Sequence, residues 1–152
     1  MAVTPADALL PFSTALGAFV LIWVTILKAL AFAGGWSKLA ARYPDSGLRP
    51  PSRSLWMQSA KVGWVGYNNC LTLGVGPEGL HLAVWPLFRA GHPPLLIPWD
   101  EVASIRPKKI FFMKMFELQV GRGDTVVVSI GRRAGEAAGA YLTGRFPVST
   151  TR

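Results

Sequence analysis

Two different hydrophobic patterns divide the chain near residue 50. In the first third, the twenty residues between Asp7 and Lys28 carry no ionisable side chain and read ALLPFSTALGAFVLIWVTIL. Farther along, apolar residues come in short alternating runs broken by Gly and Pro. A long uniform run predicts an apolar helix, whereas alternation with a period of two predicts strands. The sequence therefore predicts one long helix followed by an antiparallel sheet.

The uniform run is long enough to cross a membrane. At about 1.5 Å per residue, twenty helical residues cover roughly 30 Å, which is the hydrocarbon thickness of a bilayer. We predict a transmembrane helix over 8–34, preceded by an extracytoplasmic N-terminus at 1–7. The alternative is a cleaved signal peptide, because Ala31-Phe32-Ala33 has the small-x-small form of a cleavage site; cleavage after Ala33 would release a secreted or periplasmic hydrolase. The positive n-region of a signal peptide is missing here.

Charge on the two flanks predicts the orientation. No Lys or Arg precedes residue 28, whereas several follow closely, so the positive-inside rule places the C-terminal side in the cytoplasm. We expect five residues to anchor the membrane interface: Lys28, Trp36, Lys38, Arg42 and Tyr43. The spacing of Trp36, Leu39, Ala40 and Tyr43 suits a short helix on the membrane surface, although a frayed end of the span would also explain it.

A Pro- and Ser-rich stretch separates the two patterns. Residues 44–54 read PDSGLRPPSRS, and we assign 35–54 to a juxtamembrane helix and linker. The predicted domain covers 55–148, with a tail at 149–152. Its first two strands are predicted at 61–66 and 70–75, with a turn at Tyr67-Asn68-Asn69. Further strands are predicted at 79–88, 95–99, 110–120 and 125–130. The segment 100–105 directly follows the strand at 95–99.

The last predicted element is an amphipathic helix from Arg132 to about Thr143, with Ala134, Ala138 and Tyr141 on one side. About seven strands followed by one helix predict an α+β, mainly β domain. The expected form is a bent sheet or partly open barrel that the C-terminal helix caps.

One stretch of the domain resembles a known family. Residues 76–105 read GPEGLHLAVWPLFRAGHPPLLIPWDEVASI. They resemble the middle of bacterial pleckstrin-homology-like (PH-like) and GRAM-like domains, in which a strand after x-x-G-L leads to an I-P-W-x-x-I strand. The likeness covers roughly 60–145 and implies a barrel with a helix, a shape whose members bind lipids, peptides or no identified ligand, so it does not imply an activity. Phosphoinositide-binding members carry a basic set in the first hairpin, where this chain has only Lys61.

Few residues could carry catalysis. His81 and His92 are isolated from other metal-ligating side chains in the sequence, and His81 is expected to point outward from its strand. Cys70 lies at an apolar strand start, which is typical of an inert thiol. Gly74 to Gly79 superficially resembles a dinucleotide fingerprint, but Pro77 stands where a helix would begin. We therefore predict no enzyme, no metal and no cofactor.

The remaining functional lead is the basic surplus. The chain has 16 Lys and Arg against 8 Asp and Glu, a formal net charge of +8. Candidate residues for lipid or partner binding are interleaved with apolar ones: Arg106, Lys108, Lys109, Phe111 and Lys114. Such a patch could contact anionic lipid headgroups or another membrane protein. The interpretation that we favour from the sequence is a solvated hairpin whose aromatic side chains fill the barrel and whose cations merely follow the positive-inside bias. The cations follow no helix and lack an RNA-stacking motif, so nucleic acid is not expected.

Overall fold

The computed structural model of the protein describes residues 5–48 and 50–143. Helix α1 covers Pro5–Gly34, and within it Leu9–Gly34 is long and apolar enough to cross a membrane. Gly35 adopts a left-handed backbone (φ +89°) that ends α1, and the short helix α2 follows at Trp36–Arg42. Glycine tolerates this conformation because it has no Cβ.

Seven strands and a third helix follow in the described part of the chain. The strands are β1 (Arg53–Val62), β2 (Val65–Val75), β3 (Gly79–Val84), β4 (Leu95–Pro98), β5 (Val102–Ile110), β6 (Met113–Val120) and β7 (Val126–Gly131). Single 3-10 turns lie at Pro86–Phe88 and Trp99–Glu101, and helix α3 covers Arg132–Leu142. The predicted α+β, mainly β class is confirmed.

All strand pairs are antiparallel, and the strand order is β4-β3-β2-β1-β7-β6-β5. The sheet curls into a half-barrel compatible with a PH-like fold. Its inner face carries the alternating apolar residues of the strands, among them Leu71, Leu82 and Leu118. α3 packs against β2, β6 and β7, with Ala134, Ala138 and Leu142 in the same core. Burial of each such leucine contributes about 1.5–3 kcal/mol.

Successive turns of an antiparallel sheet alternate between its two ends. The β1–β2 turn at Gly63-Trp64, the β3–β4 connection (85–94) and the β6–β7 turn (121–125) lie at one end, because Val62 pairs with Val128. The C-terminus of α1 meets this end, where the Trp64 indole donates a hydrogen bond of 2.9 Å to the Ala33 carbonyl. We call it the helix-proximal end. The β2–β3 turn and the β5–β6 hairpin occupy the helix-distal end.

Several predicted boundaries are wrong. The first hairpin turns at Gly63-Trp64 rather than at Tyr67–Asn69, and β2 runs through those residues without a break. β1 begins at Arg53, inside the stretch predicted as a linker. Residues 43–45 also form backbone hydrogen bonds along the free edge of β4, where Pro44 bridges to Leu95. The first part of the Pro- and Ser-rich stretch is therefore attached to the sheet.

Candidate functional site

The tip of the β5–β6 hairpin exposes two consecutive aromatic side chains. Ile110 pairs with Met113, which leaves Phe111 and Phe112 as the two turn residues. Phe111 is 87% exposed and Phe112 is 95% exposed. Phe111 also has a positive φ of +53°, which is uncommon for a bulky residue. The interpretation favoured from the sequence, in which these aromatic side chains fill the barrel, is therefore wrong for Phe111 and Phe112.

Two lysines flank this tip. Lys109 lies directly opposite Lys114 in the β5–β6 register, and no carboxylate in the described ranges pairs with either ammonium. Cross-strand neighbours share a face, so like charges at these positions repel. We define the hairpin patch as Lys109, Phe111, Phe112, Met113 and Lys114.

The other two predicted cations have a different environment. Lys108 makes an ion pair of 2.6 Å with Glu117, and Arg106 lies directly opposite Glu117 in the register. Glu117 thus offsets positive charge on that part of the hairpin. The structure brings all four cations onto one hairpin. Within the part of the chain that it describes, Arg106 and Lys108 lie beside Glu117, whereas Lys109 and Lys114 have no carboxylate neighbour.

A shallow groove adjoins the hairpin patch. Its volume is about 450 Å³, and its lining includes Phe112, Met113, Lys114 and Arg132. Arg132 begins α3 and forms an exposed i,i+4 pair with Glu136 at 3.5 Å. The groove extends the combination of apolar and cationic groups from the hairpin tip to the start of α3.

The prediction that Trp36 anchors a membrane interface is corrected by its burial. Its side chain is fully buried, its indole donates a hydrogen bond of 3.0 Å to the Pro93 carbonyl, and its rings pack against Tyr67 and His92. Leu39 of the same helix is also in the core. The apolar face of α2 therefore packs on the sheet and not on lipid.

The other predicted anchors lie at the helix-proximal end. Lys38 makes an exposed ion pair of 3.0 Å with Asp124, and this hydrogen bond lowers the pKa of Asp124. Arg42 donates to the Asp124 carbonyl oxygen at 3.1 Å. The Tyr43 hydroxyl donates to Glu101 at 2.9 Å; desolvation, followed by this bond, raises the Tyr43 pKa. The Lys38 and Arg42 contacts hold α2 against the β6–β7 turn, and the Tyr43 contact joins the end of α2 to the Trp99–Glu101 turn. Lys28 is exposed on α1.

Both histidines are buried. His81 alternates with the core residues Leu80 and Leu82 and therefore lies on the outer face of β3, as predicted, but Asp45 covers it there. The His81 Nδ1 lies 3.0 Å from the Asp45 carboxylate, which explains how a polar ring is accommodated there. His92 contacts Tyr67 and Trp36. Cys70 is half-buried in β2, and burial raises the pKa of its thiol. Within the described ranges, no group of three or more His, Cys, Asp or Glu side chains could hold a metal ion.

Sequence reasoning missed Phe112 and Met113 as members of the surface. The signal was present in the spacing, because residues i and i+5 face each other across a two-residue hairpin turn. Lys109 and Lys114 have this spacing around Phe111-Phe112. Comparison with known protein families, with curated proteins and with solved structures gives no match for this chain.

Proposed function

We propose that this chain is a single-pass, membrane-anchored binding module with a PH-like domain on the cytoplasmic side, which scaffolds and does not catalyse. The hairpin patch is its docking surface for an acidic protein partner. The observation that carries this proposal is the hairpin tip itself, where Phe111 and Phe112 are almost fully exposed between two lysines that have no carboxylate partner among the described residues. Exposed clusters of large apolar side chains mark interaction surfaces, and aromatic residues and methionine are enriched in them.

The anchor and its orientation are supported by the N-terminal helix. α1 contains 26 residues, Leu9–Gly34, that are apolar enough for a membrane span. The cations Lys28, Lys38 and Arg42 follow its centre and none precedes it, which supports a cytoplasmic domain. Ala31 is fully buried and Gly34 packs against Val65. These contacts favour retention of the helix and give no support to the alternative of a hydrolase released after Ala33.

The position of the hairpin favours a protein over lipid as its ligand. β6 runs from Met113 at the helix-distal end to Val120 beside the β6–β7 turn, and seven steps of about 3.3 Å span roughly 23 Å. A bilayer crossed by α1 adjoins the helix-proximal end, so the hairpin patch faces away from it. An acidic, amphipathic protein segment complements both the lysines and the phenylalanines.

The buried ionisable groups support a non-catalytic role because each has a partner inside the domain. His81 contacts Asp45, His92 contacts Tyr67, and Tyr43 contacts Glu101. These contacts hold segments together: Asp45 and Tyr43 lie in the chain that follows α2, and the residues they contact lie in or next to the sheet. These buried groups therefore stabilise the fold through the contacts that they make.

Photo-crosslinking of the full chain in its native membranes tests this function. A photoreactive phenylalanine at position 112 should give one discrete protein adduct, whereas the same probe at the helix-proximal Leu87 should not give it. Lys114→Glu should abolish the adduct. Lys61→Glu is the matched control, because Lys61 is an exposed lysine on β1 outside the hairpin patch.

Three results would overturn the proposal. The first is the absence of any adduct at position 112, and the second is an adduct with lipid only. The third is a protein adduct that survives Lys114→Glu as well as it survives Lys61→Glu, because the lysine would then play no part in recognition.

A further inference from the structure

A second exposed apolar surface lies at the helix-proximal end. Leu87 is 69% exposed and Trp64 is 65% exposed, and Trp85 is also exposed. All three sit in connections that adjoin α1. The first connection is the β1–β2 turn, which contains Trp64. The second is the segment around the Pro86–Phe88 turn, which contains Trp85 and Leu87. This surface is separate from the hairpin patch, which belongs to the opposite end of the sheet.

Hydrogen bonds fix these connections at two levels of the helix. The Trp23 indole donates a hydrogen bond of 3.2 Å to the Leu87 carbonyl, and its ring lies 5.6 Å from that of Phe88. Ten residues farther along α1, the Ala33 carbonyl accepts the hydrogen bond from Trp64. Ten helical residues cover about 15 Å, so Leu87 and Trp64 are attached to α1 at levels separated by that length.

The backbone between these two levels also approaches α1 closely. A Cβ at Gly91 would lie 3.0 Å from the Lys28 Cα, and Leu27 and Ala31 are buried against the domain. The last three turns of α1 are therefore packed along the β3–β4 connection. The exposed apolar side chains around this contact continue the apolar surface of the helix itself.

The length of the span determines where this surface lies. A bilayer core of roughly 30 Å takes about 20 helical residues, which reach from Leu9 to Lys28. Trp23 then lies about 7 Å inside the hydrocarbon boundary, and Ala33 lies about 7 Å outside it. Leu87, held at the level of Trp23, falls on the hydrocarbon side, whereas Trp64 falls among the headgroups.

We propose that the helix-proximal end is a lipid-contacting surface and that its occupant is the bilayer that α1 crosses. Leu87 enters the acyl region, Trp64 lies at the headgroups, and the exposed cations Lys28 and Arg89 lie near the boundary between them, where they face anionic headgroups. The domain is thereby held upright on the membrane, with the hairpin patch directed away from it. This inference rests on the membrane anchoring in the proposed function.

Spin labels on single cysteines can test the depth of each position. Cys70 is the only cysteine of the chain, so Cys70→Ala gives a background without thiols. Four labels are placed in the full chain by Gly17→Cys, Leu87→Cys, Gly66→Cys and Trp56→Cys. A Cβ at Gly17 or Gly66 meets no atom within 4 Å. Gly66 reports on the level of Trp64 and leaves the indole in place.

Trp56 supplies the matched control. It is 71% exposed, close to the 69% of Leu87, but it belongs to the part of β1 that pairs toward the helix-distal end of β2. The chain is reconstituted in vesicles of phosphatidylcholine with phosphatidylglycerol, and collisions with oxygen and with a water-soluble nickel chelate are measured. We expect the label at Gly17 to be deepest, followed by Leu87 and then Gly66. Nickel collisions at Leu87 should be lost relative to Trp56.

The failures of the two proposals are distinguishable. A label at Gly17 that is open to nickel would overturn the anchor and, with it, the lipid-contacting surface. If Gly17 is in hydrocarbon while Leu87 is as open to nickel as Trp56, the lipid-contacting surface alone is overturned. If Trp56 is as protected as Leu87, the domain lies flat on the membrane, and the upright orientation is overturned.

Discussion

The hydroxyl of Tyr67 donates a hydrogen bond of 2.8 Å to Nε2 of His92. The direction of this bond follows from the other ring nitrogen, because Nδ1 lies 3.0 Å from the Ala90 carbonyl, which can only accept. Burial lowers the pKa of His92 and so favours the neutral ring, and the Ala90 carbonyl places the proton of that ring on Nδ1. Trp36 packs against both rings and joins α2 to the sheet.

Neutral His92 makes the fold sensitive to acid. Burial lowers the pKa of His92 from its ordinary value of 6.5. Between 6.5 and the lower pKa of the folded state, the unfolded chain binds a proton that the folded chain does not. The stabilising contribution is thus fully present above pH 6.5 and is lost as pH falls through the folded pKa. We expect the unfolding temperature to fall over this range.

His92→Gln should remove this part of the pH dependence, because glutamine does not titrate. The unfolding temperature is measured as a function of pH. The slope of this curve, rather than the absolute stability, is compared between the variant and the native chain. His81→Gln is the control, because it removes the other buried histidine and should keep the contribution of His92. An unchanged slope in His92→Gln would contradict the assignment.

Two glycines of α3 should respond oppositely to alanine. A Cβ at Gly135 would overlap the ring of Phe116, whereas a Cβ at Gly139 meets no atom within 4 Å. We expect Gly135→Ala to destabilise the domain by about 1–3 kcal/mol through overpacking. Gly139→Ala should stabilise it by up to about 1 kcal/mol, because alanine favours the helix. Denaturant unfolding measures both changes, and equal effects would show that α3 is not packed as described.

The helices were predictable from sequence, whereas the first hairpin was not. Consecutive asparagines predicted a turn, but β2 accommodates Asn69 at a positive φ of +53° within the strand. Asparagine tolerates that conformation, so the local turn signal did not decide the topology. Residues 53–60 of β1 were missed because Trp56 and Met57 lie at an irregularity in the pairing and are exposed, which removes the alternation.

The candidate surface shows a second limit of sequence reasoning. The spacing of Trp36 and Leu39 correctly predicted a short amphipathic helix, but apolar periodicity does not distinguish burial in lipid from burial against a sheet. The basic hairpin was recognised as a cluster of charge. The exposure of Phe112 depends on where the two-residue turn falls, and the turn was not predicted there.

The connection between α1 and the domain should depend on Gly63. Gly63 and Gly47 both have positive φ, +58° and +70°, so alanine strains either backbone by about 1–2 kcal/mol. Only at Gly63 would the added Cβ also overlap the Gly34 carbonyl oxygen. We expect Gly63→Ala to lose more unfolding free energy than Gly47→Ala and to increase hydrogen exchange at the end of α1. Equal losses would mean that α1 does not pack on this turn.

The repulsion between Lys109 and Lys114 should be measurable as stability. Lys114→Glu replaces a like-charge pair by an opposite-charge pair directly across the strands, a change worth about 0.2–1 kcal/mol. We expect the unfolding temperature of Lys114→Glu to rise in low salt and to approach that of the native chain in high salt, since salt screens exposed charges. Lys61 has no lysine directly across the strands, so Lys61→Glu should change stability by less than about 0.5 kcal/mol.

A Lys114→Glu variant that is more stable and yet loses the protein adduct would show that the native lysine pair serves binding at a cost in stability. A fall in the unfolding temperature would show that the two ammonium groups do not repel each other across the hairpin.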